Sequence, residues 1–152
     1  MATKVLMVCL GNICRSPLAE GILQSKASTG TLVVDSSGTA GYHIGEPPDS
    51  RSIQVARKYG IDISHQRCRQ FSVQDFDAFD HIYAMDKNNY RDILALATHQ
   101  DHRDKVKLLL DGTMDGEEEV PDPYYGGVEG FEKVFQLIDG ACDRIVEKLN
   151  GS

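Results

Sequence analysis

The chain has 152 residues, of which 41% are hydrophobic and 26% charged, and its formal net charge is -7. This composition is ordinary for a folded globular protein and argues against intrinsic disorder. The acidic balance argues against a nucleic-acid-binding surface, and no hydrophobic run approaches the length that crosses a membrane. The four cysteines show no paired spacing and the first residues resemble no signal peptide, so we expect a cytoplasmic protein without a disulfide framework.

Strand and helix patterns alternate along the sequence. In chain order we predict a strand at 4–9, a helix at 17–29, a strand at 32–36, a helix at 49–59, a strand at 80–85, a helix at 87–98, a strand at 105–109 and a helix at 127–149. Such alternation is typical of a parallel sheet with helices on both faces. The predicted fold class is therefore α/β: a single-domain three-layer sandwich over residues 1–152, with a four-stranded parallel sheet.

The first strand runs into a loop with the spacing C-x5-R-S, from Cys9 to Ser16. Gly11 and Asn12 tolerate left-handed backbone angles, and Ser16 followed by Pro17 suits the start of a helix. Backbone N–H groups in such a frame can converge on one point and bind inorganic phosphate or another oxyanion. Besides Cys9 and Arg15, the members of this predicted phosphate-binding loop are Leu10, Gly11, Asn12, Ile13, Cys14 and Ser16.

Two side chains give this loop a possible chemistry. Helix N-termini and nearby cations favour the ionised form of a cysteine, so we expect Cys9 to be a thiolate that attacks phosphorus. Arg15 adds a planar two-pronged donor that matches two phosphate oxygens. A covalent cysteinyl phosphate would divide one difficult displacement into two easier ones. The plainer alternative is a buried core cysteine and an arginine on a helix surface.

A second candidate motif is the run Pro-Asp-Pro-Tyr-Tyr-Gly-Gly at 121–127. The prolines and glycines indicate a rigid turn in a loop. Asp122 in such a loop can give a proton to a departing phenolate, and Tyr124 and Tyr125 can line an aromatic slot. The alternative for Asp122 is a solvated aspartate in a surface turn.

Two helices carry clear structural signals. Asp49 is placed to cap the helix that Gly60 closes. Apolar residues in the last helix recur at steps of three and four, which predicts one buried stripe. Cys142 lies on that stripe, so we assign it to packing rather than to chemistry. The stripe contains Val128, Phe131, Phe135, Ile138, Cys142, Ile145 and Leu149.

The chain resembles the low-molecular-weight protein tyrosine phosphatases. The resemblance implies an enzyme that hydrolyses phosphotyrosine monoesters through a cysteinyl-phosphate intermediate, with no cofactor and no metal. Its partners would be phosphotyrosine proteins, including tyrosine kinases, and we expect a monomer. The stretches that carry the resemblance run in family order and are 8–20, 35–39, 45–49, 69–70, 85–86 and 122–125.

The resemblance also implies residue roles. Cys9 matches the nucleophile, Arg15 the phosphate clamp, and Asp122 the general acid and then base. A supporting hydrogen-bond network is implied for Asn12, Ser16 and Ser36. The implied walls of the substrate slot are Leu10, Ile13, Tyr42, Tyr124 and Tyr125.

The resemblance leaves one position of the supporting network open and suggests a second role for a loop cysteine. The family often has a histidine where this chain has Gln66, with His65 one residue earlier, so either His65 reaches into the supporting network or Gln66 donates in its place. Cys14 lies in the loop beside Cys9, and in the family this pair looks like a reversible redox catch, which traps oxidised Cys9 as a disulfide.

Three alternatives on the same fold remain open at this point. Protein arginine phosphatases usually carry threonine where this chain has Ile13, whose apolar edge favours an aromatic ring. Arsenate reductases coupled to thioredoxin need two further nearby cysteines, whereas Cys68 and Cys142 are far apart in sequence. A non-catalytic phosphate-binding module would need neither Cys9 nor Asp122.

Overall fold

The sheet is built around its first strand. In the computed structural model, which describes residues 2–27, 30–110, 118–123 and 127–150, strand β1 (Thr3–Cys9) lies between β2 (Leu32–Gly38) and β3 (His81–Ala84). Strand β4 (Val106–Leu108) pairs with β3. All three pairings are parallel and the strand order is β2-β1-β3-β4, so the predicted four-stranded parallel sheet is confirmed.

Helices cover both faces of this sheet, as predicted. Side chains of β1 alternate between two cores, because successive residues of a strand point to opposite faces. One core contains Val5 and Met7, and the other contains Leu6 and Val8. The first core is closed by α1 (Arg15–Lys26), α2 (Ser50–Lys58) and α6 (Gly127–Asn150). The second is closed by α3 (Asp75–Ala78), α4 (Lys87–Leu94) and α5 (Gln100–Asp104).

Two helix predictions need correction. The predicted helix at 87–98 ends early, because α4 stops at Leu94, and a separate helix, α5, follows from Gln100 to Asp104, where no helix was predicted. The break follows from a tertiary contact: the buried His102 ring stacks on Phe76 at 4.4 Å, and its Nδ1 accepts from the Thr98 N–H at 3.3 Å. No proline or glycine marks this break in the sequence.

The other correction concerns the start of the first helix. This helix begins at Arg15 and ends at Lys26, rather than spanning 17–29, and Ser16 does not cap it. The Ser16 hydroxyl instead faces Cys9. Its place in the sequence is that of a capping residue, but its contacts belong to the loop.

The cap and the stripe are confirmed. Asp49 Oδ1 accepts from the Arg51 N–H at 2.8 Å, and Gly60 follows α2 with a φ of 80°. Along α6 the described stripe residues up to Ile145 are buried, and burial raises the pKa of Cys142 well above its usual range. Among the residues described, no helix is long and apolar enough to cross a bilayer.

The packing of α1 against the segment after α2 makes a stability prediction. A Cβ on Gly21 would lie 2.5 Å from Cγ2 of the fully buried Ile63, whereas a Cβ on Gly140 of α6 meets no atom within 4 Å. We expect Gly21→Ala to lower the free energy of unfolding by roughly 1–3 kcal/mol through overpacking. The control Gly140→Ala should raise it by up to about 1 kcal/mol through helix propensity. Urea unfolding measures both, and a Gly21→Ala variant as stable as the parent would contradict this packing.

Candidate active site

A pocket of about 250 Å³ opens at the carboxyl end of β1. This is the edge where the chain order of the strands reverses across β1 and β3, and ligands in open α/β sheets bind at such edges. The pocket brings together eight residues that the sequence singled out, with His43 in addition. Its lining is Cys9, Leu10, Gly11, Ile13, Cys14, Arg15, Tyr42, His43 and Asp122.

Asn12 fixes the turn of the loop. Its φ of 57° lies in the left-handed region, where asparagine is tolerated better than most residues, and its side chain is buried. Its Nδ2 donates to Ser16 Oγ at 2.8 Å and to Ser36 Oγ at 3.0 Å. Its Oδ1 accepts from the Arg69 N–H at 3.0 Å, and its carbonyl accepts from Cys68 Sγ at 2.8 Å. The side-chain amide is therefore fully engaged in holding one backbone conformation.

A glycine in β2 lets the loop come this close to the sheet. A Cβ on Gly38 would lie 2.7 Å from the Leu10 carbonyl oxygen and 3.0 Å from the Asn12 backbone nitrogen. The Thr39 N–H donates to the Cys9 carbonyl and the Ala40 N–H to the Leu10 carbonyl, each at 2.9 Å. Carbonyls at the start of the loop are thus bonded to the two residues that directly follow β2.

The other polar backbone groups of the loop are available for an anion. The N–H of Asn12 donates to Cys9 Sγ at 3.3 Å. Over the part of the chain that the structure describes, the remaining N–H groups of the loop and of the first residue of α1 have no protein acceptor; they belong to Leu10, Gly11, Ile13, Cys14 and Arg15. Unpaired N–H groups in a tight loop before a helix N-terminus are a good site for a phosphate or sulfonate group.

Cys9 lies at the floor of this pocket. It is only 2% exposed, and Ser16 Oγ lies 3.0 Å from its sulfur. Together with the Asn12 N–H, this hydroxyl gives the sulfur two possible donors. Hydrogen bonds to an ionised group are about twice as strong as neutral ones, so the arrangement favours an ionised sulfur.

Arg15 is buried and anchored from behind. Its Nη1 donates to Asp86 Oδ2 at 2.7 Å and to the Val120 carbonyl at 3.0 Å. Burial disfavours the charge, but Cys9 and Asp86 outweigh it and hold the pKa of Arg15 above its ordinary value. The anchored guanidinium therefore stays charged at the pocket wall.

Asp122 stands at the mouth of the pocket. Its Oδ2 lies 3.7 Å from Nη2 of Arg15, and its side chain is 43% exposed. Flanking prolines restrict the backbone on both sides of it. A carboxyl group here faces both solvent and the position above the loop, as exchange of a proton with a leaving group and then with water would require.

Five predicted site residues are placed less simply. Ser36 lies behind the loop, where its hydroxyl donates to Glu20 Oε1 at 2.7 Å. Gln66 is buried and its Nε2 donates to the Pro17 carbonyl at 3.1 Å, whereas His65 is exposed. Gln66 thus packs against the first turn of α1, and in the part of the chain that the structure describes neither residue bonds to Asn12, Ser16 or Ser36. Tyr124 and Tyr125 lie outside the described residues.

Two residues of the site lie outside the predicted catalytic, loop and slot residues. Asp86 follows β3, at the same edge as Cys9, and this placement is the signal that could have found it. His43 packs over the loop, since a Cβ on Gly11 would lie 3.3 Å from its ring, and its Nδ1 pairs with Glu46 at 2.7 Å. From the sequence, the position of His43 directly after Tyr42 predicts either the rim of the slot or a plain surface role. The described residues contain no group of three or more His, Cys, Asp or Glu side chains that could hold a metal ion.

Comparison with known proteins agrees with this geometry. The family model described as low molecular weight phosphotyrosine protein phosphatase matches residues 4–152. A relative from Synechocystis sp. is 47% identical over 151 residues, covering 96% of each chain. The human low molecular weight phosphotyrosine protein phosphatase is 42% identical over 156 residues, covering 98% of each chain.

A solved structure of a protein tyrosine phosphatase also matches this chain. The crystal structure of protein tyrosine phosphatase from Entamoeba histolytica, with Hepes in the active site, matches with a TM-score of 0.92 and 38% identity. The match covers 99% of this chain and 98% of that one. The chain therefore belongs to the low molecular weight phosphotyrosine protein phosphatase family.

The anchor of Arg15 gives a binding prediction. In Asp86→Asn, the retained Oδ1 can still accept from the Asn89 N–H and cap α4, but an NH2 group can face the guanidinium. We expect inorganic phosphate to bind on the order of tenfold more weakly, because a charge-assisted hydrogen bond that orients Arg15 is lost.

Competitive inhibition by phosphate or calorimetry measures this change. Asp62→Asn removes the same charge from an exposed loop and serves as the control. Phosphate affinity unchanged in Asp86→Asn would show that the anchor does not matter for binding.

Proposed function

We propose that this protein hydrolyses phosphotyrosine in proteins through a phosphorylated cysteine. The observation that carries the proposal is the convergence of Cys9, Arg15 and Asp122 on one pocket whose floor is a loop of unpaired N–H groups. A nucleophile, a charge clamp and a proton donor are the three parts that a metal-free phosphoryl transfer needs.

In the first step the Cys9 thiolate attacks phosphorus in line with the bond to the phenol oxygen. The S–P bond forms as the P–O bond breaks, and Asp122 gives its proton to the departing oxygen. Arg15 and the loop N–H groups hold the equatorial oxygens, where negative charge is concentrated. Because these donors are already fixed by Asn12 and Asp86, little reorganisation is needed in the transition state.

In the second step water attacks the phosphocysteine. Asp122, now a carboxylate, takes a proton from that water as its oxygen bonds to phosphorus. The S–P bond breaks, inorganic phosphate leaves, and the Cys9 thiolate is regenerated. The partial exposure of the Asp122 side chain supports this role, since the same group must meet both leaving group and water.

The walls of the pocket support an aromatic substrate. Leu10 and Tyr42 are exposed at the rim, 41% and 75% respectively, and Ile13 lines the pocket with them. Apolar side chains around a phosphate site suit a phenyl ring better than the guanidinium of phosphoarginine.

The cysteines give little support to arsenate reduction. Cys142 is a buried core residue of α6, while Cys68 lies behind the loop. The two thiols that such a cascade needs are thus on different elements.

Cys9→Ser tests the nucleophile. Serine lacks an ionised sulfur, so we expect turnover of aryl phosphates to be lost while phosphate binding in the loop persists. Steady-state kinetics and phosphate calorimetry measure the two properties. Retained turnover would remove Cys9 from its role.

Asp122→Ala tests the proton donor. Loss of a general acid costs about 10²–10⁴ in rate when the leaving group needs protonation. We therefore expect phenyl phosphate turnover to fall by about that factor, and p-nitrophenyl phosphate turnover to fall far less. Glu118→Gln, in the same exposed segment, is the control. An equal loss on both substrates would contradict the assignment of Asp122.

One assay separates the candidate reactions. Phosphotyrosine peptide, phosphoarginine peptide and arsenate are offered in parallel, with EDTA present throughout. The proposal expects turnover of phosphotyrosine alone, unaffected by EDTA. We further propose that tyrosine kinases are among the substrates, and that the protein acts as a cytoplasmic monomer.

The pair Cys9 and Cys14 forms a proposed redox catch. Peroxide would oxidise the Cys9 thiolate to a sulfenic acid, and the Cys14 thiol would then displace water to form the disulfide. Burial, with Asp49 and Cys9 adding to it, raises the pKa of Cys14 to about 12, so we expect this second step to be slower than the first. After peroxide, mass spectrometry should find a Cys9–Cys14 bridge and thiol reductant should restore activity. Sulfonic acid at Cys9 with Cys14 untouched would contradict the catch.

A further inference from the structure

A chain of hydrogen bonds leads from the Cys9 sulfur to a carboxylate on α1. Ser16 Oγ lies 3.0 Å from Cys9 Sγ. Asn12 Nδ2 then bridges Ser16 Oγ at 2.8 Å and Ser36 Oγ at 3.0 Å. The Ser36 hydroxyl donates in turn to Glu20 Oε1 at 2.7 Å. Glu20 does not line the pocket, yet it terminates the network that reaches the nucleophile.

Asn12 sets the direction of the protons along this chain. An amide NH2 group only donates, so the hydroxyl oxygens of Ser16 and Ser36 both accept from it. Each hydroxyl then has its own proton left to donate elsewhere. The Ser36 proton goes to Glu20. The Ser16 proton can go to Cys9 Sγ at 3.0 Å or to the Ser37 carbonyl at 3.3 Å, and an ionised sulfur is the stronger acceptor.

Glu20 lies in an environment that weakens the preference of its carboxyl group for the charged form. Burial is the main cause that raises its pKa from 4.5 to about 7. The Ser36 hydrogen bond opposes the rise, Asp35 on β2 adds to it, and Arg69 opposes it. Arg69 is itself shared between Asp35 and Asp75, which limits the compensation it provides. Glu20 therefore gains and loses a proton near neutral pH.

We propose that Glu20 is a positioning residue: by accepting the Ser36 proton it keeps the Asn12 amide in place and directs the Ser16 proton onto the Cys9 sulfur. A protonated Glu20 is a weaker acceptor for the Ser36 proton and can itself donate to Ser36 Oγ, which loosens the hold of Ser36 on the Asn12 amide. The Asn12 amide is then no longer held in place, and the Ser16 hydroxyl donates to the Ser37 carbonyl instead of to the Cys9 sulfur. The reactivity of Cys9 therefore falls on the acidic side of neutral pH as Glu20 takes up its proton.

A direct effect of charge would have the opposite sign. A negative Glu20 disfavours a negative Cys9, so removing the Glu20 charge would make the thiolate more stable if charge alone acted. Glu20→Gln and Glu20→Ala remove the same charge, but only glutamine keeps an oxygen acceptor for the Ser36 proton. The two variants therefore separate hydrogen-bond direction from charge.

This inference rests on the proposed nucleophilic role of Cys9, but its test needs no turnover. Iodoacetamide alkylation is followed from about pH 5 to 9, and mass spectrometry assigns the product to Cys9. Burial raises the pKa of Cys14 to about 12 and that of Cys68 to about 11, so these thiols stay protonated and react slowly. If alkylation follows the expected pattern while phosphotyrosine is not hydrolysed, the proposed function fails and the positioning role stands.

The expected results differ for each variant. At about pH 8, Glu20→Gln should be alkylated at the wild-type rate, and Glu20→Ala about tenfold more slowly, the order expected when a hydrogen bond to a charged group is weakened. At about pH 5.5, Glu20→Gln should react several-fold faster than wild type, because its acceptor does not titrate. Asp143→Asn, an exposed carboxylate on α6, should follow the wild type at both values.

Ser36→Ala tests the connection itself. It breaks the link between Glu20 and Asn12, so adding Glu20→Ala to it should change the alkylation rate no further. Superimposable profiles for wild type and both Glu20 variants would overturn the proposal, as would equal acceleration in both variants. If Glu20→Ala fails to fold, the ratio of Glu20→Gln to wild type still decides: it must rise as pH falls, and a constant ratio overturns the proposal.

Discussion

The structure depends on the side chain of Asn12. A left-handed residue inside a tight loop is strained for most amino acids, and it persists only where its surroundings over-determine it. Here the amide is held by α1 through Ser16, by β2 through Ser36 and by the segment before α3 through Arg69. Three separate parts of the chain thus fix one backbone turn. That turn points the Asn12 N–H at Cys9 and leaves its neighbours' N–H groups without acceptors among the described residues.

A second constraint joins the loop to the other half of the sheet. Arg15 is buried, and a buried charge without a partner would cost several kcal/mol. Its partners come from far along the chain, since Asp86 follows β3 and Val120 hydrogen-bonds to Met85 at the end of the same strand. The Arg15 guanidinium can therefore make these contacts only when β1 is paired with β3. Folding and the charge of the site are coupled through this one side chain.

The sequence was sufficient for the parts of the molecule that local patterns encode. Alternating apolar runs placed all four strands to within two residues, and C-x5-R-S placed the loop, because both signals lie within short stretches. The break between α4 and α5 escaped, because it is set by His102 stacking on a ring from another helix. The same limit explains why the roles of Asp86 and Glu20 were not foreseen. Both act through partners on other elements, and no spacing in the sequence records which carboxylate meets which donor.

The choice between His65 and Gln66 shows the limit at a single position. Adjacent residues in a loop point in different directions, and only the packing of Gln66 against the first turn of α1 decides which one is buried. A family pattern gives the position at which a polar side chain is needed. Where a chain departs from the family pattern, as at Gln66, the pattern does not say which neighbouring side chain takes that position.

The central claim is that Cys9 is the atom to which phosphorus is transferred. Its most direct test is acid quenching of Asp122→Ala during turnover of a phosphotyrosine peptide, followed by mass spectrometry of the peptide that contains Cys9. In that variant the water attack is slowed, so the account predicts one added phosphoryl group on Cys9. Phosphate released at an undiminished rate, with Cys9 unmodified throughout, would contradict the account.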